Sequence, residues 1–217
     1  MKAALGCEWR VMESGEVWLV DEEGVPIAEG FSAVRAPWRL YVEALDCRGI
    51  ATMVWCVLQY SFGQGESGGC AKHAQVTLLP GGAVRVDDDG VGLPVVDLQS
   101  SWELAFVGRN ASRLPGSDLF VVNAFSDKLV VETARDGRLW RQEFHGDEWW
   151  SDLSDVGEAG GWGFSVTFWP RSEFGADWDG RVVADRVEAY SQRFSGVSVK
   201  VVDERRDDHQ VLLEYHN

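Results

Sequence analysis

The stretch KLVVETARDGRLWRQEF, residues 128–144, alternates apolar and polar side chains on either side of Asp136-Gly137. Asp-Gly between two alternating runs is a strong signal for a two-residue turn, whose positive φ angles match the twist of the flanking strands. Antiparallel pairing is therefore built into the middle of the chain, and any fold must accommodate it. Other segments extend the pattern. EWRVMESGEVWLV (8–20) reads as a second hairpin about Glu13-Ser14-Gly15, and strands at 74–79 and 83–87 are joined by Pro80-Gly81-Gly82. FSVTFWP and two closing segments, 197–203 and 210–215, add further strands. Helical spacing appears from Asp46, available as a cap, to Phe62, through Ile50, Val54, Val57, Leu58 and Ser61. It recurs over 180–195, with Val183, Val187, Tyr190 and Phe194 on one face. Shorter helices are predicted at 28–35, at 97–106 and over DLFVVNAFS, capped by Ser117 or Asp118. These elements do not alternate as regular βαβ units. The expected class is α+β, a two-layer α/β sandwich with a mixed, mostly antiparallel sheet and helices on one face.

Composition narrows the function. A length of 217 residues suits one large domain, and a formal charge of −15 with a pI near 4.6 argues against nucleic acid as a direct ligand. The start MKAALGCEWRV lacks the apolar core of a secretory signal and no segment is apolar enough to span a membrane, so a soluble, cytoplasmic protein is expected. Cys7, Cys47, Cys56 and Cys70 form no C-x-x-C pair, and the four histidines show no i,i+4 pairing, so neither a metal site nor a metal cofactor is expected. The acid-rich segment 147–160 is the one candidate linker.

VRVDDDGVGLP (84–94) sets three carboxylates against two glycines and a proline directly after a strand. A metal loop, a nucleotide pocket and a tight surface turn are the three readings. The calcium-loop version fails, because alternating oxygens and a distal glutamate are missing. On the 46–62 helix, Met53, Cys56 and Tyr60 share a stripe beside the core face.

The order of these motifs resembles the ATP-binding domain of gyrase B and topoisomerase IV, members of the GHKL superfamily. IAEGFSAVR is similar to the family's first helix, and ATMVWCVLQYSFGQGESGGCAKHAQVTLL to its ATP helix and the following strand. VRVDDDGVGLP resembles the D-x-G-x-G turn, and FVVNAFSDKLVVETARDGRLWRQEF the helix and hairpin that come next. SVTFWPRSEF and VSVKVVDERRD resemble the end of that domain. The match runs from about residue 28 to 207, so the expected organisation is an N-terminal hairpin extension over 1–27 and a gyrase B-like domain over 28–217, without transducer or toprim regions. The resemblance implies a pocket between the helices and the sheet, with Asp88 accepting from an adenine amino group and Gly90 and Gly92 letting backbone approach the ligand.

It also implies what this chain lacks. Where the family helix carries a glutamate that activates water and, a turn later, an asparagine that ligates magnesium, this sequence has Cys56 and Tyr60. Cysteine is a poor oxygen base, and a neutral phenol is a weak ligand for a hard cation. Gly63 and Gln64 replace a further acidic pair, and Val91 replaces the arginine of the turn. Of the phosphate-loop glycines only Gly116 is matched, and Asp118 takes the place of another. The transducer lysine is expected to be missing as well.

The expected protein is a stand-alone, catalytically degenerate relative that does not hydrolyse ATP and needs no cofactor. Its pocket would bind a small, largely apolar organic molecule against Met53, Cys56, Val57, Tyr60, Val86, Asp88, Gly90, Gly92, Leu93, Leu119, Phe164 and Val166. A cofactor-free cyclisation, elimination or isomerisation in secondary metabolism would use Asp88 as acid or base, with Tyr60 or Cys56 as proton partner. The alternative is a pseudoenzyme that binds a protein such as gyrase, with Trp149, Trp150 and Trp162 as anchors, or weakly binds a nucleoside. A third is a pocket filled by its own Tyr60 and Phe164. A monomer or weak dimer is expected.

Overall fold

The polypeptide alternates its side chains so regularly along 73–78, 84–88, 126–135 and 164–170 that these segments must lie in one sheet with two chemically different faces. That sheet is present in a computed structural model, which describes residues 8–11, 17–20, 48–63, 70–93, 119–145, 149–172 and 178–217. The chain divides into two units, Met1–Leu45 and Asp46–Asn217. In the first, β1 (Glu8–Val11) pairs antiparallel with β2 (Val17–Val20), Glu8 opposite Val20, as the hairpin pattern predicts. The boundary expected at 27/28 falls inside this unit. The helices expected over 28–35 and 97–106, and the caps Asp46, Ser117 and Asp118, lie outside the described residues.

The second unit holds nine strands among the described residues: β3 (His73–Leu78), β4 (Val84–Asp88), β5 (Ser126–Arg135), β6 (Arg138–His145), β7 (Trp149–Trp150), β8 (Ser154–Glu158), β9 (Phe164–Pro170), β10 (Ser198–Asp203) and β11 (Gln210–His216). They form one sheet in the order β11-β10-β3-β4-β9-β5-β6-β7, with β8 also on β6. Only β3 and β10 pair in parallel, His73 opposite Ser198; every other ladder among the described residues is antiparallel. The mixed, mostly antiparallel α+β sheet expected from the sequence is therefore the observed one.

Register explains the two faces. Val201, Val76, Val86, Val166 and Val131 stand opposite one another across five strands, and all are 0–1 % exposed. Full burial of each such side chain stabilises by roughly 1.5–3 kcal/mol. The intervening row reads Lys200, Gln75, Asp87, Ser165, Glu132 and Arg141, a polar face.

Helix α1 (Arg48–Phe62) packs on β3, β4 and β9 and against α2 (Leu119–Ala124) and α3 (Gly180–Ser191). Its apolar residues run nearly all round, which fits a helix covered on nearly all sides, and among its described side chains only Gln59 is exposed. Trp55 stacks on Tyr190 at 4.7 Å and on Phe194 at 5.4 Å, and Phe62 meets Phe194 at 5.5 Å. Asp179 caps α3 by accepting from Arg181 N at 2.9 Å. The helix stops at Ser191, four residues before the expected end, and its last contacts are carried on by a turn.

Two expectations are refined here. Asp136 and Gly137 turn the β5–β6 hairpin with φ of 51° and 76°, the conformation a two-residue turn demands. The acidic segment 147–160 is not a linker, because β7 and β8 pair with β6, and Arg138 forks onto Asp155 at 2.7 and 2.8 Å. That contact holds the Asp155 carboxyl below its ordinary range.

Candidate functional site

Asp88 ends β4, opposite Ala74 of β3 and Phe164 of β9, in a row that continues to Thr133 and Trp140. Its place in the strand is on the helix-covered face two residues beyond Val86, so the alternation that buries valines also buries a carboxylate, 1 % exposed. One carboxylate oxygen, Oδ1, accepts from Gly90 N at 2.8 Å and fixes the turn. The other, Oδ2, is buried with no hydrogen-bond partner among the described residues. Burial pushes the Asp88 carboxyl up to about 6, against the lowering pull of the Ser61 hydroxyl and the Gly90 N–H; Asp89 and Asp87 raise it further. The Ser61 hydroxyl has one hydrogen to give, and Val57 O, 3.1 Å away, competes with the Asp88 carboxylate for it.

The turn after Asp88 is clamped from three sides. Gly163 N donates to Asp88 O at 2.8 Å, and Ala134 N donates to Gly163 O at 2.8 Å. Thr133 Oγ1 accepts from Leu93 N at 2.9 Å. Arg135 Nη1 donates to Val91 O at 2.9 Å. Gly92 takes φ of 68°, and a Cβ there would strike the Thr133 hydroxyl and lie 2.7 Å from Gly163 O. A Cβ on Gly163 would collide with the Gly90 carbonyl. The glycines therefore serve close approach of one backbone to another.

Tyr60 reaches from the last turn of α1 to donate its phenol to Gly92 O at 3.2 Å, and its ring lies 5.2 Å from that of Phe164 at 60°. Burial, then the nearby Asp88 carboxylate, drives the phenol well above the ordinary tyrosine value, so Tyr60 keeps its proton throughout the neutral range. It acts as a hydrogen-bond donor in the wall beside the turn. Cys56 lies one turn earlier on α1, buried at 7 %.

The side chains expected to line the site, Met53, Val57, Val86, Leu93, Leu119, Phe164 and Val166, are each at most 4 % exposed. Gly90 is half-buried and Gly92 buried. Of the expected aromatic anchors, Trp162 is 40 % exposed, and the side chains of Trp149 and Trp150 lie outside the described residues. Sequence reasoning missed Thr133 and assigned Ser61 only to the helix stripe. Thr133 is legible in hindsight as the one hydroxyl in an apolar register, and Ser61 as a polar residue on the buried side of the last turn.

Among the described residues, Cys56 and Tyr60 offer a magnesium-bound triphosphate neither a carboxylate nor an amide oxygen. Tyr60 spends its phenol hydrogen on Gly92 O, and no group of three His, Cys, Asp or Glu able to hold a metal occurs among the described residues. The orphaned Oδ2 does fit a neutral hydrogen-bond donor.

The DNA gyrase B protein of Clostridium acetobutylicum is 25 % identical to this chain over 92 % of the chain and 34 % of that protein. The Haloferax volcanii protein of the same name is 28 % identical over 87 % and 33 %, and the Mycobacterium tuberculosis one 30 % identical over 88 % and 31 %. The chain spans about a third of the length of the curated relatives it matches. No protein-family model matches it. No helix among the described residues is long and apolar enough to cross a membrane.

Proposed function

Since the chain carries a GHKL-type domain related to DNA gyrase B, we propose that it is a non-hydrolysing form whose Asp88 end holds a small, largely apolar organic molecule. The observation that carries this reading is the buried carboxylate with one unpartnered oxygen. Such a group costs stability until a donor reaches it, and an N–H or O–H on a ligand is the natural supplier. The wall around it is apolar, so the ligand is recognised by one polar contact and by shape. A carboxyl near pH 6 also suits proton transfer at neutral pH, so a cofactor-free isomerisation, cyclisation or elimination would use Asp88 as the acid or base. Tyr60 then orients the turn.

Degeneracy towards ATP rests on Cys56 and Tyr60 in place of an oxygen base and a magnesium ligand. The test is calorimetry with adenosine, ADP and ATP, with and without magnesium, beside a thermal-shift screen of hydrophobic molecules bearing one donor. The expected result is no magnesium-dependent ATP binding and a hit whose stabilisation disappears in Asp88→Asn. Micromolar, magnesium-dependent ATP binding or sustained release of inorganic phosphate would overturn the proposal.

A further inference from the structure

At the opposite end of β4 from Asp88, about 13 Å away along a strand of five residues, lies a cavity of about 910 Å³. It is bounded by the β3–β4 turn, the end of β9, the first turn of α3 and the β10–β11 connection. Arg181, Arg205 and Arg206 line it together with Trp169, Trp178 and Leu212.

Arg205 is a fixed wall. Its guanidinium forks onto Asp203 at 2.6 and 2.9 Å, donates to Trp178 O at 2.7 Å and stacks over the Trp178 ring at 4.4 Å. Arg181 and Arg206, both exposed, have no ion pair among the described residues. In a chain with 35 acidic and 20 basic side chains, an arginine has carboxylates to spare, and Arg85, Arg138 and Arg141 each find one. Of the acids at this cavity, Asp203 is paired with Arg205, while Asp179 caps α3 and Asp208 accepts from Gln210 Nε2 at 2.8 Å. Two guanidinium groups with no ion pair among the described residues, Arg206 being close enough to Asp203 to help lower its carboxyl, therefore share one concave space with indole and leucine surface.

We propose that this cavity is a second binding site, separate from the Asp88 pocket, for a small, multiply charged organic anion whose phosphoryl or carboxylate groups meet Arg181 and Arg206. Guanidinium forks match both groups in geometry, and the volume suits a ligand of drug-like size. Trp169 and Leu212 offer the apolar part of the ligand its surface.

The experiment is calorimetric titration of the full chain with pyrophosphate and, separately, citrate, against sodium chloride at matched ionic strength. One-to-one binding of at least one of them is expected, and which one binds tells phosphoryl from carboxylate recognition. The double variant Arg181→Gln/Arg206→Gln weakens it by at least about ten-fold, the effect of losing one charge-assisted contact or more. Asp208→Asn strengthens it, a gain that misfolding cannot produce, and Asp88→Asn leaves it unchanged. Stabilisation no greater than that of chloride, equal binding by the double variant, or loss of binding in Asp88→Asn overturns the proposal. The last result would also tie the two sites together, whereas failure of the Asp88 pocket alone leaves this site standing.

Discussion

Replacing Asp88 by asparagine isolates the energetics of the buried carboxyl. Its folded-state value of about 6 against an ordinary 3.8 means that the folded protein binds its proton more tightly than the unfolded chain. Stability from this group is fully present below pH 3.8 and is lost as pH rises through 6. At about 1.4 kcal/mol per pH unit the whole span is worth about 3 kcal/mol, of which about 2 kcal/mol falls between pH 4.5 and pH 8. Asparagine cannot ionise, and its side-chain oxygen can still accept from Gly90 N. The stability of Asp88→Asn relative to the parent should thus rise by about 2 kcal/mol between pH 4.5 and pH 8. Urea unfolding followed by tryptophan fluorescence at four or five pH values measures this difference, and the contributions of all other carboxyls cancel in it. A difference that stays flat, or shrinks as pH rises, would refute the claim that Asp88 sits charged and under-partnered in the interior.

Other substitutions probe the turn and its clamps. Gly92→Ala combines positive φ with a collision against Thr133 and Gly163, and should cost about 2–4 kcal/mol by denaturant unfolding. Tyr60→Phe removes the bond to Gly92 O while keeping the Phe164 contact; it should cost about 1 kcal/mol and leave phosphate release at background in a coupled assay. Gly137→Ala disturbs only the turn, with open space around its Cβ, so about 1 kcal/mol should be lost without any change in ligand binding.

Much of the sheet was readable because strand burial has period two and the turns carry their own chemistry. Val84, Val86 and Asp88 share a face by counting alone, and Asp136-Gly137 announces its hairpin. β8 was not readable: Ser154-Asp-Val-Gly-Glu has no apolar alternation, and its strand state comes from pairing to β6 and the Arg138–Asp155 fork, both set by tertiary position. The overlong reading of α3 has a similar cause, since Phe194 keeps helical spacing but meets Trp55 from a turn. At the site, the resemblance located Tyr60, Asp88 and Gly92 in order along the chain. That Tyr60 would bond to Gly92 O, and that Oδ2 of Asp88 would go unpartnered, depended on distances no spacing rule supplies. The second cavity was invisible, because its arginines come from segments that meet only in three dimensions.

The one parallel ladder among the described residues, β3 beside β10, places His73 opposite Ser198, residues 125 positions apart, with β11 closing the edge beyond. On a ribosome, the early strands must therefore wait with a bare flank until β10 emerges, and that interval is when a chaperone has something to grasp. Trimming β10 and β11 would leave β3 permanently uncovered, so such fragments should clump during synthesis while the full chain assembles.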